Sequence, residues 1–202
     1  MFPSSRKHLL FFLAGVAATL AVALVFLLPR ESKEDRRFLE LFQNEIYLTD
    51  QRHAAISKIF HENERLFGHN LQWVAETSET VELGLSETPS DAAPMVVRVT
   101  VLRKDANGEW SKLWRMDVVA RLDGVFEMNE PGDAQHLSLS LRRTSETTTF
   151  VESRLTLANG IVLNAQSSDA NYFGAPKGVK VVSDGGVFYA IIQTVKSIVG
   201  GG

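Results

Sequence analysis

Residues Trp110–Leu122 read WSKLWRMDVVARL, and their period of two residues decides the fold class of this chain. Successive side chains of a β-strand point to opposite faces of the sheet. One predicted face of this strand is mainly apolar, and the other carries charged side chains such as Arg115 and Asp117. This alternation predicts a half-buried antiparallel strand. The mainly apolar face comprises Trp110, Lys112, Trp114, Met116, Val118, Ala120 and Leu122.

The same alternation recurs from Met95 to Val101 and from Leu137 to Leu141. Asn107-Gly108 and Asn159-Gly160 predict hairpin turns whose two central residues both have positive φ. We expect eight or nine strands between Val81 and Val199, spaced as in an all-β antiparallel sandwich-like domain.

One later strand differs from the others because it is apolar on both faces. It is Val187–Ile192, with the sequence VFYAII. Such a strand is typical of the centre of a sheet that is covered on both sides. The alternative is a strand that packs against a helix.

Upstream of the strands the period changes to that of a helix. No Pro or Gly occurs from Ser32 to Phe67, and apolar residues recur at alternate steps of three and four. This spacing predicts a coiled-coil-like amphipathic stalk helix over 32–68. Its seam must pack on a second copy, on a partner or on the β-domain. The seam comprises Leu39, Phe42, Ile46, His53, Ile56, Phe60 and Phe67.

The chain begins with a short basic tail, residues 1–8, and an uncharged apolar run from Leu9 to Leu28. At about 1.5 Å per residue the run spans roughly 30 Å, the thickness of the hydrocarbon core of a bilayer. No small-x-small cleavage site follows it, so 9–29 is predicted to be a retained single-pass anchor. The small residues Gly15, Thr19 and Ala23 recur every four positions and predict close packing with another membrane helix.

The signal-anchor arrangement favours an extracytoplasmic C-terminal domain, and the absence of Asn-x-Ser/Thr sequons favours a bacterial inner-membrane protein. A count of basic residues near the membrane favours the opposite orientation, because more of them follow the apolar run than precede it. Between the stalk and the sandwich, 69–94 is predicted to be a linker with one edge strand at Val81–Leu85. The sandwich is predicted over 95–199 and a flexible tail over 200–202.

The composition restricts the chemistry that this protein can perform. Cysteine is absent, which excludes disulfides and thiolate catalysis, and the net charge of −3 argues against a nucleic-acid partner. His53, His61 and His69 are eight residues apart and therefore fan around a helix, and Arg65 stands where a zinc-protease helix would have its second histidine. We therefore predict no metal and no cofactor.

Three further groups are candidate sites. The acidic stretch Glu127–Asp133 lacks the spacing of a calcium loop and is typical of a solvated turn. Asp117 and Asp123 are the nearest approach to a catalytic carboxylate pair, but both fall where the solvated face of a strand or a turn would place them, and the sequence does not show whether they converge. Trp110 and Trp114 share a predicted face and could stack on a sugar or peptide, although core packing explains them better.

These features predict a non-catalytic, single-pass scaffold or accessory subunit of an envelope membrane complex, whose β-domain docks a protein partner. A carbohydrate- or peptide-binding module, with Trp110 or Trp114 exposed, is one alternative. The other alternative, which ranks above it, is a transmembrane sensor that relays an extracytoplasmic signal. Leu155–Ser168, LTLANGIVLNAQSS, resembles a strand pair in the exported domains of FecR-type iron-signalling regulators. That resemblance implies the sensor role.

Overall fold

The computed structural model describes residues 33–67, 71–75, 81–85, 92–129, 134–145, 148–169 and 176–198. The chain divides into two compact units, Met1–Arg36 and Arg37–Gly202. The predicted anchor, with Gly15, Thr19 and Ala23, lies outside the described residues. No helix among the residues that are described is long and apolar enough to cross a bilayer.

The second unit contains an all-β domain of two antiparallel sheets, as the alternating pattern predicted. In the six-stranded sheet the order is β2-β1-β4-β3-β10-β9. Its strands are β1 Leu71–Ala75, β2 Val81–Leu85, β3 Pro94–Lys104, β4 Trp110–Arg121, β9 Pro176–Asp184 and β10 Val187–Ser197. The four-stranded sheet has the order β5-β6-β7-β8. Its strands are β5 Gly124–Asn129, β6 Ala134–Arg143, β7 Thr149–Leu157 and β8 Val162–Asp169.

The main core lies between the two sheets. The inner face of the six-stranded sheet supplies every second residue of β3, β4 and β10, and the four-stranded sheet supplies the facing residues. Full burial of a Val or Leu side chain stabilises the fold by about 1.5–3 kcal/mol, so this layer is the largest source of stability. Its members include Met95, Val97, Val99, Met116, Val118, Leu137, Leu139, Leu141, Leu155, Leu163 and Ile191.

The alternation of inward- and outward-facing side chains in β4 changes phase along the strand. Val101 pairs with Trp114 while the next residue, Leu102, pairs with Lys112, so Leu113 is an extra residue in β4. Such a bulge shifts the alternation by one position. Trp114 therefore lies in the inner core, whereas Trp110 packs with Leu102 on the outer face. The prediction that Trp110 and Trp114 share a face is wrong for this reason.

The predicted hairpin turns occur where Asn-Gly pairs stand, but their geometry differs from the prediction. Gly108 and Gly160 have positive φ, at 86° and 82°, whereas Asn107 and Asn159 do not. The amide of Gly108 donates to the Asp105 carbonyl at 3.0 Å, which is the pattern of a turn followed by one left-handed residue. The loops are longer by one residue than a two-residue hairpin, and only the glycine needs positive φ.

The helical region is interrupted where one stalk helix was predicted. It consists of α1 (Lys33–Leu41), a π-helical turn (Phe42–Ile46) and α2 (Asp50–Phe67). We call Phe42–Thr49, the π-helical turn with the three residues after it, the connector. The break occurs because the connector binds the sheet through its own backbone, as described below.

The seam residues of the helical region pack against the outer face of the six-stranded sheet. Ile56 and Phe60 of α2 are fully buried in a cluster with Val96, Val119 and Ile198. Leu41 and Ile46 form a second cluster, against Leu102, Ala190 and Ile192. Coiled-coil pairing through this seam is therefore unsupported, since its central side chains already have partners within the chain.

The remaining seam positions vary. Phe42 is half-buried beside the second cluster, and Leu39 is 45% exposed. His53 is half-buried, and the side chain of Phe67 lies outside the described part of the chain. β10 lies between β3 and β9 and is buried on both faces from Tyr189 to Val195, which confirms the covered central strand predicted for VFYAII except at the exposed Phe188. Its outer face packs on the helical region, so both readings of that strand hold.

Candidate functional site

The connector is held to the sheet by side chains that donate to its backbone carbonyls. The amide of Tyr47 closes the π-helical turn by donating to the Phe42 carbonyl at 2.7 Å. Four consecutive carbonyls, which α-helical bonding would otherwise satisfy, accept from β3, β4 and β10. The donors are Arg115 Nη1 to Asn44 at 3.0 Å, Thr100 Oγ1 to Glu45 at 2.7 Å, Thr194 Oγ1 to Ile46 at 3.0 Å and Arg98 Nη1 to Tyr47 at 2.8 Å.

Below the connector lies a buried ion cluster around Asp117. Arg98 binds this carboxylate with two nitrogens, Nε to Oδ1 at 2.6 Å and Nη2 to Oδ2 at 2.9 Å. Arg52 of α2 adds a third contact, from Nε to Oδ2 at 3.0 Å. Asp117 is 2% exposed, and both of its oxygens accept from guanidinium groups. It therefore links α2 to two strands.

The carboxylate pair that the sequence raised is not brought together. Asp117 lies on the outer face of β4 beneath α2, whereas Asp123 lies in the exposed turn that leads to β5. Asp123 has a φ of 59° and accepts from the Arg143 amide at 2.7 Å, so it shapes the turn.

A rim of further ion pairs surrounds the buried cluster. Glu45 of the connector is 2.9 Å from Arg115 and 3.1 Å from Lys112. At the other end of α2, Glu64 accepts from Arg121 at 3.0 Å, and Arg121 also donates to the Ala92 carbonyl. The helical region is thus bound to the sheet by ionic contacts at both ends and by apolar contacts between them.

His53 lies in the first turn of α2, where its Nε2 is 3.0 Å from the Ser197 carbonyl. Burial lowers the pKa of His53, and the nearby Lys196 ammonium lowers it further, while the Ser197 carbonyl and the Asp50 carboxylate oppose both effects. The hydrogen bond from Lys196 lowers the pKa of the exposed Asp50 carboxyl. The net lowering of the pKa favours the neutral form of His53 where α2 meets the end of β10.

The remaining histidines and the acidic stretch, for which the sequence predicted no metal site, do not converge. His61 is 3.9 Å from Glu64 on the same helix, and His69 lies outside the described residues. Glu127 is exposed on β5, and residues 130–133 are not described. Within the described ranges no three His, Asp or Glu side chains are placed to hold a metal ion.

An open cavity of about 170 Å³ lies at one end of the sandwich, between the ends of the two sheets. Its apolar walls are Leu113, Trp114 and Leu157. Arg103, Asn159 and Tyr189 supply the polar groups around it. Trp114 is 6% exposed, so its ring forms part of the wall and is not a free stacking surface.

A surface of exposed apolar side chains lies beside the helical layer. β9 presents Val179 and Val181 on the outer face, at 62% and 54% exposure, and β10 adds Phe188 at 42%. Val179 pairs with Ile192 and Val181 with Ala190, two residues that the helical region covers. We call Val179, Val181 and Phe188 the β9 surface. The β9 surface continues the apolar outer face of the six-stranded sheet beyond the strands that the helical region covers.

Sequence reasoning missed the connector and its donors. The usable signal was the stretch Val96–Leu102, which reads VVRVTVL. In this strand Arg98 and Thr100 occupy the face opposite an apolar one. Polar residues on a half-exposed strand normally face solvent. Only the burial of Arg98 and Thr100 in the folded chain shows that these side chains bind another segment.

No protein-family model matches the chain, and comparisons with characterised proteins and with solved structures found no match.

Proposed function

We propose that this chain is a non-catalytic, single-pass envelope membrane protein that docks a partner protein on the β9 surface. The anchor at 9–29 would hold it in a bacterial inner membrane with the β-domain outside the cytoplasm. Close packing of Gly15, Thr19 and Ala23 with another membrane helix belongs to the same proposal. The observation that carries the docking role is the exposure of Val179 and Val181 next to an apolar face that is otherwise covered.

The shape of this region favours a helix as the docked element. A helix is about 10 Å across and covers about two strands that are 4.8 Å apart. The helical region covers β3, β4 and β10, and β9 follows β10 at the edge of the sheet. An amphipathic helix of a partner would extend the same layer over β9 and bury its two valines.

Site-specific crosslinking in intact membranes tests this docking role. A photoreactive amino acid replaces Val181 in the full chain, and a matched control replaces Val125 of β5, which is also 54% exposed. We expect one defined crosslinked protein from position 181 and none from position 125. Equal crosslinking at the two positions, or none at 181, would show that the β9 surface is not a docking site.

The topology is tested separately. A reporter that is active only outside the cytoplasm, fused after Gly202, should be active in cells. Activity of a cytoplasm-only reporter at the same position would reverse the proposed orientation and leave the docking surface itself unaffected.

A sensor that relays a signal is the second candidate, and the connector favours it. The segment that follows the proposed anchor is bound through four carbonyls to three strands of the sheet, including β10 beside the β9 surface. A relay predicts that crosslinking at position 181 changes hydrogen exchange of the connector amides. A scaffold predicts unchanged exchange there.

A further inference from the structure

The cavity at the end of the sandwich has the chemistry of a binding site for an apolar carboxylate. Its polar groups are all available as donors. Arg103 contributes a guanidinium, and within the described residues no carboxylate pairs with it. The side-chain oxygen of Asn159 accepts from the Ile161 amide at 3.3 Å, and the Asn159 NH₂ group donates to the Tyr189 hydroxyl at 3.5 Å, which leaves the second NH₂ hydrogen and the tyrosine O–H as donors.

The backbone positions these groups firmly. Arg103 of β3 and Tyr189 of β10 are directly paired residues of adjacent strands, so their side chains leave the sheet on the same side. Asn159 comes from the turn between β7 and β8, in the opposite sheet. Two sheets and one turn thus place a cation, an amide and a hydroxyl around one opening, and no acidic side chain is among the described residues that line it.

The apolar walls set the size of the other half of the ligand. Leu113, Trp114 and Leu157 form the apolar walls of this open cavity of about 170 Å³. An apolar cavity of about 150 Å³ holds a benzene ring. The bulge in β4 shapes this cavity, because Leu113, the extra residue, lines its wall.

We propose that this cavity binds a compound with one aromatic or branched aliphatic group next to a carboxylate, with the apolar group against Trp114 and the carboxylate on Arg103, Asn159 and Tyr189. A small free acid and the C-terminal residue of a polypeptide share this chemistry. The residues that line the cavity include none of the β9 surface, and the proposal does not depend on partner docking there.

Ligand-observed NMR on the full-length chain in neutral lipid nanodiscs tests the proposal. Phenylacetate is the probe, with phenylacetamide and phenethylamine as a neutral and a cationic analogue of similar shape. We expect saturable binding of phenylacetate and binding weaker by about tenfold or more for both analogues, since a hydrogen bond to a charged group has roughly that effect.

Two variants separate the site from general charge effects. R103Q should weaken phenylacetate binding by about tenfold or more. R154Q, which changes an exposed arginine on β7, should leave it unchanged. Circular dichroism would verify that both variants are folded. Unchanged binding by folded R103Q, equal binding of phenethylamine, or no saturable binding of phenylacetate at millimolar concentration would overturn the proposal.

A short peptide that ends in phenylalanine, with a free or an amidated C-terminus, distinguishes the two sources of the ligand. Binding of the free-terminus peptide at least as tightly as phenylacetate supports a polypeptide C-terminus. Binding of phenylacetate but of neither peptide supports a small acid. Equal binding of the free and amidated peptides would contradict the role of Arg103 as the carboxylate partner.

Discussion

On the inner face of β3, Val97 and Val99 pack against the apolar side chains of the four-stranded sheet, whereas the outer face of the same strand presents Arg98 and Thr100 to the connector. All four residues are at most 3% exposed. The degree of burial is therefore the same on the two faces, and the chemistry is different. The difference follows from what covers each face.

The inner face meets a second sheet, in which the strands already satisfy one another's backbone groups. Such a partner offers mainly apolar side chains, so apolar residues on β3 suffice. The outer face meets a chain segment that has left α-helical bonding and carries free carbonyls. A buried carbonyl without a donor costs about 1–3 kcal/mol, so this face needs donors. Long polar side chains supply them across the gap.

The inner face also holds a buried polar group, on β10. Gln193 of β10 is fully buried between the sheets. Its Oε1 accepts from the Ser153 hydroxyl at 2.7 Å, and its Nε2 donates to the Val151 carbonyl at 3.0 Å and to Ser167 Oγ at 2.6 Å. The neighbouring β9 residue is Gly178, where a Cβ would lie 2.8 Å from the Gln193 side chain.

The largest effect is expected at Arg98. R98M leaves the buried Asp117 carboxylate with Arg52 alone and removes the donor to Tyr47. Breaking a buried ion pair in this way costs about 3–5 kcal/mol. Urea unfolding of the full-length chain in neutral detergent, followed by circular dichroism, would measure it.

A double variant sharpens that result. Replacing Arg98 and Asp117 together by Met and Leu removes both charges, and well-packed apolar replacements of buried pairs are often neutral. Part of the stability should return, while the Tyr47 carbonyl remains without its donor at a cost of about 1–3 kcal/mol. Removing one partner of a buried pair costs about 3–5 kcal/mol. If R98M alone lowered the free energy of unfolding by less than about 1 kcal/mol, Arg98 and Asp117 would not form a buried ion pair.

The apolar contact between α2 and the sheet comes next. Phe60 is fully buried against Val96 and Val119, so F60A should cost about 3–5 kcal/mol. The matched control is the exposed pair Lys58 and Glu62 on the same helix, where alanine should change stability by at most about 0.5 kcal/mol.

Sedimentation of the same F60A variant distinguishes an internal contact from the coiled-coil seam of the sequence prediction. Docking within the chain predicts reduced stability with an unchanged oligomeric mass. Dissociation of an oligomer at unchanged unfolding free energy would instead favour the seam.

A smaller effect is expected where the polar bridge meets β9. G178A would force its methyl group against the hydrogen-bonded side chain of Gln193, and overpacking of this kind costs about 1–3 kcal/mol. The same change in a Q193A background should cost much less, because the obstructing side chain is gone. Equal costs in the two backgrounds, measured by urea unfolding, would show that crowding with Gln193 is not the cause.

The smallest effect is the pH dependence that His53 contributes. Its pKa is lower in the folded chain than the ordinary value of about 6.5, so below that pH the unfolded chain binds more protons. Stability is thus retained above about pH 6.5 and falls as the pH decreases towards the folded-state pKa. Relative to H53Q, the wild type should lose more stability between neutral and mildly acidic pH. Parallel pH profiles for the two chains would remove His53 as the cause.

Local patterns in the sequence identified much of the β-domain. The period of two in Met95–Val101 and Leu137–Leu141 predicted real strands, and the doubly apolar Val187–Ile192 predicted a strand that is covered on both faces. Nine of the strands within the described residues lie between Val81 and Val199, in agreement with the expected eight or nine. These features follow from side-chain alternation, which depends only on neighbours along the chain.

The helical region shows where such reasoning stops. The three-and-four spacing identified Ile46, Ile56 and Phe60 as buried residues, and they are buried. A periodic apolar stripe does not specify its partner, because a second helix and a sheet offer similar apolar surfaces. Only the folded chain shows that the partner is the outer face of the sheet.

The sequence by itself determined which residues alternate, where glycine turns the chain, and which helical positions avoid water. Tertiary structure alone decided the phase shift at Leu113, the break at the connector and the burial of Arg98 with Asp117. Those three features depend on contacts between distant parts of the chain, such as Arg98 with Tyr47 and Thr194 with Ile46, which are 51 and 148 residues apart. A buried carbonyl that gives up its helical hydrogen bond costs free energy unless another donor replaces that bond, and here the donors are on distant strands. Local periodicity carries no information about those donors.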